Sequence, residues 1–160
     1  MQYVTSTNKK VDGCVFCAKL SDGVELDRQN YVIFRGRLTI TVLNIYPYTT
    51  GHLMVLPCKH VAALADVPQS AQVEMMLLAS YFTDLLAKAM APDGFNVGIN
   101  IGRAAGAGID SHLHMHIVPR WSGDNNFMAV VGETRVLPEK LEDTYDRIVA
   151  ALERDPPNLP

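Results

Sequence analysis

The chain has 160 residues but only one tryptophan and three cysteines, and charged side chains make up just 19% of it. Three cysteines are too few for the paired framework of a small secreted domain, so they read as free thiols or metal ligands. No apolar run approaches the ~18 residues that cross a bilayer. The opening MQYVTSTNKKVDG is polar, unlike the apolar core of a signal peptide. A cytoplasmic protein with no membrane partner is the expectation. Basic residues number 14 against 17 acidic ones, giving a net charge of -3 and a pI near 5.9. Proteins that grip a nucleic-acid backbone carry a basic patch, so no nucleic-acid partner is expected. Neither phosphate-binding glycine fingerprint is present, and no carboxylate cluster suited to Mg²⁺ stands out.

Hydrophobic residues make up 48% of the chain, enough to bury a sizeable core in a single domain over residues 1–160. Residues 31–35 and 38–43 are rich in β-branched and aromatic side chains and predict two strands joined at Gly36 and Arg37. NIYPYTTG, 44–51, is a loop, and 52–56 a third strand closed by Pro57. A long helix is expected over about 67–91, capped by Asp66 and stopped by Pro92, Asp93 and Gly94. Its apolar residues Val73, Met76, Leu77, Tyr81, Leu85 and Met90 cover more than one stripe, which predicts a covering sheet or a subunit interface. Strands over 95–101 and 112–118 follow, then a helix over about 138–153 and a tail over 155–160. The core is expected over about 13–140. That order predicts an α+β fold with a mostly antiparallel five-stranded sheet, one long helix and a C-terminal helix.

Three of the five histidines fall in HLHMHIV, 112–118. Alternate strand residues share a face, so His112, His114 and His116 line one side while Leu113, Met115 and Ile117 line the other. Neighbouring histidines would stand roughly 6–7 Å apart, and Pro119 should end the strand. The apolar row packs on the core. The histidine row faces a cleft, a metal or solvent. Just upstream lies GINIGRAAGAGIDS, 98–111, whose glycines let the backbone approach a ligand and whose amides form an anion nest. Cys14 and Cys17 form C-x-x-C, a metal-binding spacing whose other readings are a redox pair or two buried thiols.

HLHMHIV matches His-x-His-x-His-x-x, with x apolar, and by this signature the chain resembles the histidine triad (HIT) superfamily. GHLMVLPCKHV, 51–61, resembles the third strand and turn of that family, CVFC the cysteine pair of its zinc-bearing members. The segment 119–141 is similar to the branch holding bacterial diadenosine tetraphosphate phosphorylases and hydrolases. The resemblance implies a homodimer and nucleotidyl transfer from an adenosine polyphosphate substrate. His114 would attack the α-phosphate and carry the nucleotidyl group, and His116 would hydrogen-bond the phosphate or leaving group. His112 completes the catalytic row. Neutral imidazole suits the role, being nucleophilic near pH 7 with a labile N–P bond.

The family pattern carries over to further positions. Asn44 would hold the ribose, although a turn-forming Asn is the plain alternative. Phe16, Leu20, Val42 and Ile45 would clamp the base, and without the family all four read as core. Asn100 would stand on the phosphate side. Many members carry Gly-Gln-Ser before the triad; this chain has Ala107 and Gly108 there, in a loop longer by one residue. Backbone amides of Ala107 and Gly108, or Ser111 or Arg103, would replace those side chains. Cys14, Cys17, His60 and His112 would hold a structural zinc, closed to water by four ligands. No organic cofactor is expected. Cys58 reads as a buried small hydrophobe, and His52 as a structural hydrogen-bonding residue. Trp121 would stack on a second base or pack in a core or interface, and Asn125, Asn126 and Phe127 would shape the distal site. The rival readings are a phosphoramidate or other nucleotidyl hydrolase of the same family, a metallohydrolase using all three histidines, and a nucleotide sensor.

Overall fold

The computed structural model describes residues 13–124 and 139–159. Five strands, β1 (Val32–Arg35), β2 (Thr39–Leu43), β3 (Leu53–Pro57), β4 (Gly94–Ile99) and β5 (Met115–Arg120), form one sheet in the order β1-β2-β3-β5-β4. Every neighbouring pair is antiparallel. The α+β architecture expected from the sequence is therefore present, with the long helix α3 (Gln69–Met90) and the C-terminal helix α4 (Leu141–Arg154). Two short helices, α1 (Val15–Ser21) and α2 (Asp27–Asn30), precede the sheet where the sequence suggested no element.

The central strands β2 and β3 are buried on both faces while the edge strand β4 is largely exposed, and alternation divides the buried residues. Leu43, Leu53, Val55, Met115 and Ile117 pack against Met75, Leu78, Phe82 and Leu86 of α3, with Ile148 of α4 in the same cluster. Val32, Ile40, Val42, Met54 and Leu56 point the other way and form a second cluster with Phe16 of α1. The histidines stand on this second side, because His116 pairs in register with Met54. Leu113, Met115 and Ile117 lie in the α3 core, as the alternation predicts.

Of the boundaries that differ from expectation, three have a clear local reason. α3 starts at Gln69 with Pro68 as its N-cap residue, not with Asp66, which closes a short 3₁₀ turn. A residue before proline is pushed out of the helical region, and Val67 is extended at φ -74, ψ 124. Pro119 lies inside β5 rather than ending it. β3 reaches only to Ile117, so at Pro119 the strand has β4 alone as a ladder partner, and the Pro119 carbonyl accepts from Thr49 Oγ1 at 2.6 Å. β5 itself begins at Met115, leaving His112 and His114 ahead of the ladder. Continuing the register would set Pro57 of β3 opposite Leu113, where it has no N–H to offer, and the Leu113 amide donates to the Val61 carbonyl.

At the C-terminal end of α1 one side chain fixes the chain. Arg35 forms a fork with Asp27 and donates to the carbonyls of Lys19, Leu20 and Asp22. The β2–β3 loop ends at Gly51, whose φ of +79 lies in the left-handed region, and an added Cβ would meet Met90 Sδ at 2.7 Å. Gly51→Ala should therefore destabilise the fold by about 1–2 kcal/mol, the usual strain for a residue with Cβ in that region. A lowered urea midpoint at unchanged m-value would show it.

Candidate active site

Four of the five histidines gather at one end of the sheet face opposite α3, and each ring is fixed by a different partner. His114 Nδ1 lies 2.9 Å from the backbone carbonyl of His112. A carbonyl only accepts, so Nδ1 carries the proton and Nε2 keeps its lone pair. His52 Nδ1 accepts from the amide of Tyr48 at 3.1 Å, with the Asn44 amide group at 3.3 Å. Its proton is therefore on Nε2, which donates to His116 Nδ1 at 2.9 Å. His116 is then protonated on Nε2. That atom is buried and has no hydrogen-bond partner in the described structure. An unpaired buried donor costs about 1–3 kcal/mol, so this atom is poised for an acceptor. The rings of His114 and His116 lie 4.8 Å apart. A bare imidazole nitrogen and an N–H donor thus stand side by side.

Burial holds these rings neutral. It pushes the pKa of His52 down to about 3 and that of His116 to about 4, and neighbouring imidazoles add to both shifts. His114 is lowered too, chiefly by desolvation, with the His112 carbonyl pulling the other way. A neutral His114 is what nucleophilic attack requires. The ring of Tyr48 stacks on His116 at 5.9 Å and meets His52 at 4.6 Å in a tilted contact.

The fourth position, His112, faces another group. Its Nε2–H donates to the Pro57 carbonyl at 2.9 Å, which turns the Nδ1 lone pair toward sulfur. That nitrogen lies 3.4 Å from Cys14 Sγ and 3.6 Å from Cys17 Sγ, and His60 Nδ1 lies 3.3 Å from Cys17 Sγ. Zn–S near 2.3 Å and Zn–N near 2.0–2.1 Å in a tetrahedron give S···N edges of about 3.6 Å. The four donors, all within 4.8 Å of one another, fit a zinc ion. The three triad imidazoles do not converge on one point, so a single catalytic metal shared among them does not match this geometry. Cys58 is exposed and stands outside the cluster, not buried as the sequence suggested.

The remaining sequence-derived positions divide. Phe16 and Val42 are buried with Leu20 packed against their cluster, while Ile45 is 43% exposed at the loop edge. Asn44 Oδ1 accepts from the Tyr46 amide at 3.0 Å, so in this state Asn44 forms the turn that was its alternative role. Asn100 lies beside Gly106 of the glycine-rich loop, where Ala107 is buried and Gly108 exposed. Arg103 pairs with Asp110 across that loop. Trp121 is half-buried, its amide bound to Asp124. Asn125, Asn126 and Phe127 lie outside the described residues. Tyr48 was not anticipated. The contact between His52 and His116 was also missed, although His52, Met54 and Leu56 alternate in a way that places His52 on the ligand face.

Comparison with known proteins gives a consistent answer. The sequence model of the HIT domain family matches residues 25–123. A Mycobacterium tuberculosis protein named AP-4-A phosphorylase is 40% identical over 130 residues, covering 81% of this chain and 67% of its own. Among solved structures, a zinc-bound histidine triad family protein from Mycobacterium smegmatis superposes with a TM-score of 0.71 at 30% identity, over 89% of this chain and 95% of its own. A histidine triad nucleotide-binding protein from Sulfolobus tokodaii gives 0.67 at 27% identity, over 88% and 93%.

The buried neutral rings predict an acid limb of stability. Unfolding returns His52 and His116 to a pKa near 6.5, so below that pH the unfolded chain binds more protons than the fold. Stability should hold above pH 6.5 and fall as pH drops toward 4, with a slope of up to about 2.7 kcal/mol per pH unit for two protons. Urea midpoints between pH 4.5 and 7.5 would show a decline that is shallower in His52→Gln.

Proposed function

The chain belongs to the HIT domain family, and from that premise we propose that it cleaves a dinucleoside polyphosphate, diadenosine tetraphosphate foremost, through a nucleotidyl group carried on His114. The pairing of a bare His114 Nε2 with the unpartnered His116 Nε2–H carries this reading. Its substrate choice is supported by the 40% identity to the protein named AP-4-A phosphorylase.

In the first step the Nε2 lone pair of His114 attacks the α-phosphorus. The N–P bond forms as the P–O bond to the leaving nucleotide breaks. The ring becomes cationic, and its Nδ1–H remains on the His112 carbonyl, which stabilises that charge. His116 Nε2–H bonds the oxygen of the departing polyphosphate, which leaves as an anion. Phe16, Leu20, Val42 and Ile45 take the base, Asn44 the ribose, and Asn100 with the amides of Ala107 and Gly108 the phosphates. Cys14, Cys17, His60 and His112 would hold zinc, which would supply a cross-link rather than chemistry.

In the second step an acceptor displaces His114 from phosphorus and the electron pair returns to Nε2. Water must shed a proton to a base, whereas inorganic phosphate arrives already anionic. Burial makes His116 a poor base, and its Nδ1 is occupied by His52. Phosphate is therefore the favoured acceptor, giving ADP and ATP, and water would give AMP and ATP.

The active form is a homodimer in this reading. Val73, Met76 and Leu77 are exposed on α3, and Val97 on β4 is 44% exposed beside a strand edge with no partner among the described residues. A second copy covering both would bury this surface.

Product analysis tests the chemistry. With diadenosine tetraphosphate and phosphate, ADP and ATP should form in equal amounts, and His114→Ala should lose more than about a thousandfold in turnover. AMP formation at any phosphate concentration would move the chain to the hydrolases, and full activity without His114 would end the proposal. Sedimentation tests the dimer: Met76→Glu should shift the chain to monomer.

A further inference from the structure

We infer that Cys14 and Cys17 form a peroxide-responsive dithiol that governs how firmly the base-side wall and His114 are held. The inference rests on the reading of His114 as the nucleophile.

Helix α1 carries Phe16 between the two thiols. Phe16 is 3% exposed and meets both His112, at 5.6 Å and nearly perpendicular, and His114, at 5.3 Å. The same ring packs with Val42 in the apolar cluster of the ligand face. α1 is anchored differently at its two ends. Its C-terminal carbonyls are gripped by Arg35, which is itself forked onto Asp27. Its N-terminal end carries no side-chain cap hydrogen bond and reaches His60 and His112 through the two sulfurs. His112 serves on both sides of the connection. Its Nδ1 faces the sulfurs, and its carbonyl holds the His114 proton.

Both thiols are partly exposed and lie within 4.8 Å of each other, within reach of a small oxidant. Hydrogen peroxide supplies the balance. Two thiolates lose two electrons and join as a disulfide, while the O–O bond breaks, takes up those electrons and two protons, and leaves as two waters. A disulfide sulfur is no longer a thiolate ligand, so the cluster loses half its donors and releases zinc. The new bond joins two residues of one helical turn, so it cannot re-anchor α1 to His60 or His112. The C-terminal anchor at Arg35 is untouched. α1 then pivots about that end, and Phe16 loosens from His114 and from the base side. Reduction and zinc restore the anchored state.

The test uses the zinc-loaded full chain carrying Cys58→Ser, which removes the one thiol outside the cluster. Peroxide should release the zinc to a coloured chelator and leave a disulfide in the peptide that contains Cys14 and Cys17. AMP affinity by calorimetry and turnover of diadenosine tetraphosphate should each fall about tenfold, within the ordinary range of coupling between sites. Dithiothreitol with zinc should restore all four readings. Disulfide formation and zinc release with unchanged AMP affinity would overturn the inference, as would failure of the two thiols to pair. Zinc release and AMP binding are read without turnover. A chain that binds AMP and responds to peroxide but leaves the dinucleotide intact therefore contradicts the proposed reaction and not the dithiol.

Discussion

The hydrogen bond from His114 Nδ1 to the carbonyl of His112, two residues back, is the contact on which the site depends. In a regular strand, carbonyls point along the sheet toward neighbouring strands while side chains stand perpendicular to it. A side chain can reach the carbonyl two residues earlier only where the backbone leaves the ladder. That departure is seen at residues 112–114, just before β5. The break follows from Pro57 opposite, which has no N–H to offer, and from Val61, whose carbonyl takes the Leu113 amide. The His112 carbonyl, lying ahead of the β3 ladder, is the group that fixes the His114 tautomer.

Around that bond the site is built from neutral groups in which each proton has one place. The Tyr48 amide sets His52, His52 sets His116, and the chain of donors ends at a buried N–H without a partner in the described structure. The His52–His116 link is short and buried, so misplacing its proton would leave two lone pairs facing each other. The cost of burying four imidazoles is met by these contacts and by a core under the sheet that contains Leu53, Val55, Phe82 and Ile117. The sulfur–imidazole cluster and the His114 hydrogen bond meet at His112, which serves the first with its ring and the second with its backbone.

Much of this was legible in the sequence because it depends on neighbours along the chain. The alternation in HLHMHIV sorts Leu113, Met115 and Ile117 into the core and the histidines to the other face. The strands and the long helix follow from local composition. What was missed depends on distant partners. α1 is seven residues long and owes its place to Arg35 and to the sulfur–imidazole cluster, neither of which is visible within VFCAKLS. The partnership of His52 with His116 needs the β3–β5 register, which pairs residues some sixty positions apart. Pro119 ends a strand by the usual rule, and only the stagger between β3 and β4 shows why it does not here. Cys58 is exposed because it falls just past the end of β3.

The central claim is a statement about protons, and long-range ¹⁵N–¹H correlation spectra of the histidine rings at pH 7 address it directly. The account predicts His114 protonated on Nδ1 with a bare Nε2, and His52 and His116 protonated on Nε2. A proton on Nε2 of His114, or a doubly protonated ring at either His52 or His116, would contradict it.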